Sequence, residues 1–166
     1  EIFKGKIFQV KTHNIKAKDG YAKRELVYHS GGAGILPIDE DGNTYLVRQY
    51  RIAYDAFLYE IPAVKIDSGE EALDTARREL LEECGLYANK LKLMHCIYPS
   101  PGYVNEKIYI YLATDLEKRE QNLDENEELE IHKLSLEEAF QMVKSQEIRD
   151  AKSITALLLA REIYQK

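Results

Sequence analysis

The chain lacks a basic surplus. Its 23 Lys and Arg are outnumbered by 29 Asp and Glu, for a net charge of −6. Non-specific nucleic-acid binding needs basic patches, so no nucleic-acid partner is expected. It also lacks any apolar run near the roughly 20 residues that span a bilayer. The opening stretch EIFKGKIFQV has no secretory apolar segment. No membrane partner is expected, and the expected location is the cytoplasm. Cysteine is scarce: Cys84 and Cys96 have no metal or redox spacing, and each reads as a small buried hydrophobe. What is present is ordinary for a globular domain. The 166 residues are 45% apolar and 31% charged, enough for one sizeable core.

One segment departs from the ordinary. AVKIDSGEEALDTARRELLEECGL, residues 63–86, reads as a loop and then a helix ending at Gly85. Glu79, Glu82 and Glu83 fall at i, i+3 and i+4, so their carboxylates share one face. Like charges at that spacing cost roughly 0.2–0.5 kcal/mol per pair. They also sit near the helix C-terminus, where the macrodipole disfavours anions. Such a face is either a solvated acidic stripe or a site for a cation. Oxygen ligands would select Mg²⁺ or Mn²⁺. Arg78 adds a guanidinium fork able to hold carboxylates in place. Ala72, Leu73, Ala76, Leu80 and Cys84 give an apolar face for packing on a sheet.

Around this segment the pattern alternates between strands and turns. Residues 2–29 read as an antiparallel β unit, with alternation broken near Thr12–Asn14 and a hairpin turn at Asp19-Gly20. GGAGILPID is a strand, and Asp41-Gly42-Asn43 turns into TYLVRQYR. Asp67 or Ser68 is the expected cap of the helix, which should begin near Gly69. KLKLMHCIYPS and EKIYIYLATDL are further strands joined through PGYVN. Ser135 and Glu138 form a capping-box pattern opening a helix to about Ser145. Asp150 caps a last helix through Tyr164. This order predicts an α+β fold or an αβα sandwich.

Other candidates are weaker when read alone. Asp124, Glu125, Glu127, Glu128 and Glu130 cluster in one acidic stretch, which is either a solvated loop or a source of a general base or ligand. Arg51 either pairs with Glu60 or recognises phosphate. Arg24-Glu25 is an ordinary strand pair when taken alone. The four histidines share no ligand spacing.

The helix segment resembles the Nudix box: Gly, five residues, Glu, seven residues, then Arg-Glu-apolar-x-Glu-Glu-x-Gly-apolar. Here Glu70 is followed by seven residues and then Arg78-Glu79-Leu80-Leu81-Glu82-Glu83-Cys84-Gly85-Leu86. VRQYRIAYD, LYEIPA, YPSPGYVNE and LDENEELEI are similar to segments of the ADP-ribose pyrophosphatase branch, and Pro101 lies at that branch's proline, sixteen past Gly85.

The resemblance implies a Nudix αβα sandwich over residues 31–166, preceded by an antiparallel β subdomain over residues 1–30. In that branch the subdomain is exchanged across a homodimer. It implies a nucleotide-sugar substrate, with Mg²⁺-dependent cleavage of ADP-ribose to AMP and ribose 5-phosphate. By position, Glu79, Glu83, Glu127 and the Ala63 carbonyl would be metal ligands. Glu82 and Arg78 would join the catalytic set, with Glu125 as the base. Arg51 would bind the phosphates, Arg24 and Glu25 the nucleotide, and Glu106 the terminal ribose. Hydrolysis of another nucleoside diphosphate sugar, or binding without turnover, are the alternatives. Two departures carry expectations. Val64 stands where the box has glycine, and a β-branched residue suits neither positive φ nor close backbone approach. A displaced Ala63 carbonyl and weakened turnover are therefore expected. Lys6 follows Gly5 where the family often has an aromatic, and Phe8 is the nearest substitute.

Overall fold

The computed structural model describes residues 1–67, 69–122 and 129–164. Strands β1 (Phe3–Lys4), β2 (Phe8–Ala17) and β3 (Gly20–His29) form an antiparallel sheet in that order. The expected break at Thr12–Asn14 is absent. These residues pair with Glu25, Arg24 and Lys23, and β2 runs through them. Alternation fades there because much of this end of the hairpin is exposed, so no buried face imposes a period of two. The break falls at Gly5–Ile7, where the Gly5 N–H donates to the Phe8 carbonyl at 3.0 Å.

Strands β4 (Gly32–Pro37), β5 (Asn43–Arg51), β6 (Ala56–Glu60) and β7 (Ala63–Lys65) precede helix α1 (Ala72–Cys84). After it come β8 (Leu86–Ile97), β9 (Ile108–Lys118), β10 (Glu130–Ser135), α2 (Leu136–Lys144) and α3 (Ala151–Tyr164). A four-stranded sheet has the order β7-β4-β9-β8, and a three-stranded sheet the order β10-β5-β6. Within the first, β4 and β9 are parallel, with Ala33 opposite Tyr109 and Ile35 opposite Tyr111.

The two-residue period of those central strands builds both sides of the core. Ala33, Ile35, Tyr111 and Ala113 pack with Ala76 and Leu80 of α1. Their neighbours Leu36, Ile110 and Leu112 pack with Phe140 of α2 and Ala156, Leu157 and Ala160 of α3. The result is helix, sheet, helix, with β4 buried along its length. The Asp41–Asn43 turn does not make a long hairpin: Ile38 and Thr44 form one bridge, and then β4 and β5 enter different sheets. Asp39 holds this corner by accepting from the Asn43 N–H at 2.8 Å, the Tyr45 hydroxyl at 3.2 Å and Lys133 at 2.8 Å.

Helix boundaries follow their caps. The Ser135–Glu138 capping box is formed, and Asp150 accepts from the Ser153 N–H at 2.9 Å. The start of α1 differs from expectation. Glu71 is its N-cap, without a side-chain cap, so Asp67 does not cap it, and Ser68 lies outside the described residues. Leu73 is exposed rather than on the packed face, while Thr75 and Glu83 are buried there. Among the described residues no helix is long and apolar enough to cross a membrane.

Candidate active site

Helix α1 carries the first wall of the site. Arg78 donates through Nη1 to Glu79 at 2.6 Å and to Glu82 at 2.8 Å, and through Nη2 to Glu70 at 3.3 Å. Glu70 also accepts from the Thr75 hydroxyl at 2.8 Å, which fixes it at the start of the helix. Partial burial works against the Arg78 charge, but Glu79, Glu82 and Glu70 outweigh it and hold the guanidinium firmly protonated. Three carboxylates thus surround one cation, and a fourth, Glu83, is buried on the same helix. The surplus is anionic, as the i, i+3, i+4 spacing predicted.

The C-terminus of α1 is tied down from two sides. Gly85 has φ 62°, and its N–H bonds back to the carbonyls of Leu80 and Leu81. A side chain there would meet the Arg119 carbonyl at 2.8 Å. The Asn122 N–H donates to the Glu82 carbonyl at 3.1 Å, and the Gln121 amide to the Glu83 carbonyl at 2.5 Å. The carbonyls of Leu80, Leu81, Glu82 and Glu83 therefore have donors. Sequence reasoning missed Gln121 and Asn122, because capping from a distant strand exit leaves no local pattern. The acidic stretch with Asp124, Glu125, Glu127 and Glu128 follows directly and lies outside the described residues.

The second wall comes from β5, β6 and α3. Arg51 forms a bidentate pair with Glu60, Nε to Oε1 at 2.6 Å and Nη2 to Oε2 at 2.7 Å. Lys152 Nζ reaches Glu60 at 2.5 Å and Asp150 at 3.0 Å. Burial pushes the Glu60 carboxyl up, but Arg51 and Lys152 pull it further down, so it is ionised. Glu60 holds Arg51 charged against partial desolvation, with Asp150 and Glu83 adding to the same effect. Two cations and two anions balance here.

Two clefts meet between these walls. One, of about 230 Å³, is lined by Arg51, Lys152, Ala63 and Glu106. The other, of about 390 Å³, is lined by Arg78, Glu79, Glu82 and Asn122. Val64 and Lys65 line both. Glu106 lies 3.3 Å from His29 Nδ1, a nitrogen that also accepts from the Gly31 N–H. Arg24 and Glu25 line neither cleft and stand exposed on β3.

Val64 corrects an expectation. It lies in β7, opposite Ala33. The described non-glycine residues with positive φ are Asp55, Asp115 and Gln146, so Val64 carries no left-handed strain. A strand suits a β-branched side chain.

Among the described residues no three carboxylate, imidazole or thiolate side chains share a metal-holding point. Glu70, Glu79 and Glu82 meet at the Arg78 guanidinium instead. The chemistry of the box carboxylates still fits a hard divalent cation: all are oxygen donors, on or just before one helix, and they outnumber Arg78.

A NUDIX domain model matches residues 29–157 of this sequence. The chain belongs to the Nudix hydrolase family. The match takes in β4 through the first half of α3, and so both walls of the site. An ADP-ribose pyrophosphatase of Bacillus subtilis is 39% identical over 95% of this chain and 86% of its own length. A methanol dehydrogenase activator of Bacillus methanolicus is 34% identical over the same shares. A GDP-mannose pyrophosphatase of Escherichia coli is 31% identical over 88% of this chain and 83% of its own. Among solved structures, an ADP compounds hydrolase superposes with a TM-score of 0.82 at 24% identity. It covers 98% of this chain and 89% of that one, and it shows the shared fold. The Nudix box of this chain is therefore the α1 wall.

Proposed function

We propose that this Nudix chain is a Mg²⁺-dependent ADP-ribose pyrophosphatase, releasing AMP and ribose 5-phosphate. The observation that carries the reading is the pairing of an anion-rich wall with a cation-bearing wall across adjoining clefts. A diphosphate needs both: a place for a divalent ion and a guanidinium aimed at its oxygens. The pyrophosphatase relatives support the same substrate class.

In this reading Glu79, Glu83, Glu127 and the Ala63 carbonyl hold Mg²⁺, with Mn²⁺ able to substitute. The ion supplies positive charge against the phosphate oxygens. Arg78 keeps Glu79 and Glu82 in place. Arg51 binds the diphosphate from the opposite wall, and Glu106 accepts from the terminal ribose. A water attacks one phosphorus, Glu125 takes its proton, and the bridging P–O bond breaks.

Residues 1–30 are proposed to form a dimerising unit. Ile2, Phe3, Ile7 and Phe8 are exposed on it, and a homodimer would cover them. Arg24 and Glu25 would then serve the nucleotide in the other protomer's cleft.

The test is a product assay with Mg²⁺ over ADP-ribose, a GDP-sugar and a UDP-sugar. ADP-ribose is expected to turn over fastest, giving AMP. Faster cleavage of the GDP-sugar would favour the second reading, which the GDP-mannose relative motivates. Survival of the whole panel would end the hydrolytic reading and leave a binding role.

A further inference from the structure

Lys152 is a lysine buried in the first turn of α3, near Ser153, Ala156 and Leu157. Burying an ammonium is costly unless it is paired, and an apolar residue of similar volume would avoid the cost. Its principal partner, Glu60, already has a full fork from Arg51. Neutralising Glu60 therefore does not require Lys152.

The geometry gives it another use. The Arg51 fork uses Nε and Nη2, which leaves Nη1 on the opposite edge of the guanidinium. Arg51 is partly exposed, and both it and Lys152 line the cleft that holds Ala63 and Glu106. Glu60 lies almost fully buried between the two cations, and Asp150 holds the lysine from its other side. Lys152 stands with Arg51 on the lining of this cleft, where Glu60 and Asp150 do not, so it keeps that side of the cluster cationic. It also fixes the Glu60 carboxylate, and through it the plane of the guanidinium.

We propose that Lys152 is a positioning residue for the substrate diphosphate, holding Glu60 so that Arg51 faces the cleft oriented and cationic. This rests on the pyrophosphatase reading of the site and adds a residue outside the box to it. Lys152 acts through Glu60 and Arg51, and it needs no contact with the reacting atoms.

The experiment compares wild type, Lys152→Met and Lys152→Arg in ADP-ribose turnover, and in calorimetric binding of ADP and of adenosine. Lys152→Met is expected to raise KM about tenfold, the size of one charge-assisted contact, with kcat within about twofold. ADP binding should weaken by a similar factor while adenosine binding stays unchanged. Lys152→Arg should restore both. A purely structural lysine would lower the melting temperature and leave KM and ADP affinity alone, and that result overturns the proposal. Lys152→Gln, uncharged and too short to hold Glu60 as the lysine does, is expected to show the same rise in KM if the Met variant does not fold. Failure of both to fold would assign Lys152 to stability and also overturn it. Wild-type turnover with an unchanged KM in the variant removes only the role of Lys152. A wild type that neither cleaves ADP-ribose nor binds ADP removes the pyrophosphatase reading itself.

Discussion

The two walls of the cleft hold the same kinds of charge in opposite proportions. On α1, Arg78 faces Glu70, Glu79 and Glu82, and part of that cluster is open to solvent. Across the clefts, Glu60 and Asp150 balance Arg51 and Lys152, with Glu60 almost fully buried. The first wall carries more carboxylates than cations among these residues. The second is neutral as a group but turns its cations to the cleft. A balanced cluster can be buried at modest cost, whereas an unbalanced one must stay near water or take a counter-ion. Each wall still mixes buried and open groups, Glu83 with Arg78 on the first and Glu60 with Arg51 on the second, so charge balance is what separates them.

Breaking the anionic wall should have the largest effect. Glu83→Gln keeps the shape and removes one charge. Turnover of ADP-ribose is expected to fall by at least about 100-fold, since even residues behind metal ligands cost 10–100-fold. Steady-state AMP release measures it, and a wild-type rate would move the cation elsewhere. Arg78→Lys keeps the charge but loses the fork that reaches Glu79 and Glu82 together. A loss of about 10–100-fold in apparent Mg²⁺ affinity is expected from the metal dependence of the rate.

A third charged cluster sharpens the comparison because it serves only the fold. Asp39 accepts from Asn43, Tyr45 and Lys133 at the corner between β4 and β5. Burial pushes its carboxyl up, but those donors pull it down further, from 3.8 to about 2. The folded value is the lower one, so the stabilisation is full above pH 3.8 and fades as pH falls towards about 2. Asp39→Ala should cost about 1–3 kcal/mol at pH 7, read by urea unfolding, with kcat unchanged. The gap between variant and wild type should close over that acid window.

The smallest effect concerns the strip between the clefts. Val64→Gly is expected to lose about 0.5–1 kcal/mol, as glycine does inside a strand, and to leave turnover within about twofold. A clear rise in rate would show that the valine does obstruct the site.

Much of this was legible in the sequence where the pattern is local. The capping box at Ser135–Glu138, the Asp150 cap, the Gly85 stop and the shared glutamate face all rest on spacings within one or two turns. What was illegible depends on chain brought from afar. Arg51 was open between Glu60 and phosphate; the structure makes the Glu60 pair and places the same guanidinium on the cleft wall. Lys152 reads as an ordinary polar residue in the first turn of a helix until β6 brings Glu60 beside it. At Val64 a motif glycine suggests positive φ, whereas β7 holds that position in a strand, because the pairing with Ala33 is set by a strand distant in sequence. The start of α1 was misplaced because Glu71 supplies an N-cap without a side-chain bond, which leaves no residue-type signal.

The division of labour between the walls is tested most directly by Mn²⁺ binding, followed from the free-ion electron paramagnetic resonance signal. Wild type, Glu83→Gln and Lys152→Met are titrated side by side without substrate. The account predicts that Glu83→Gln loses Mn²⁺ affinity while Lys152→Met binds it like wild type. Equal binding by all three, or loss in Lys152→Met alone, would contradict it.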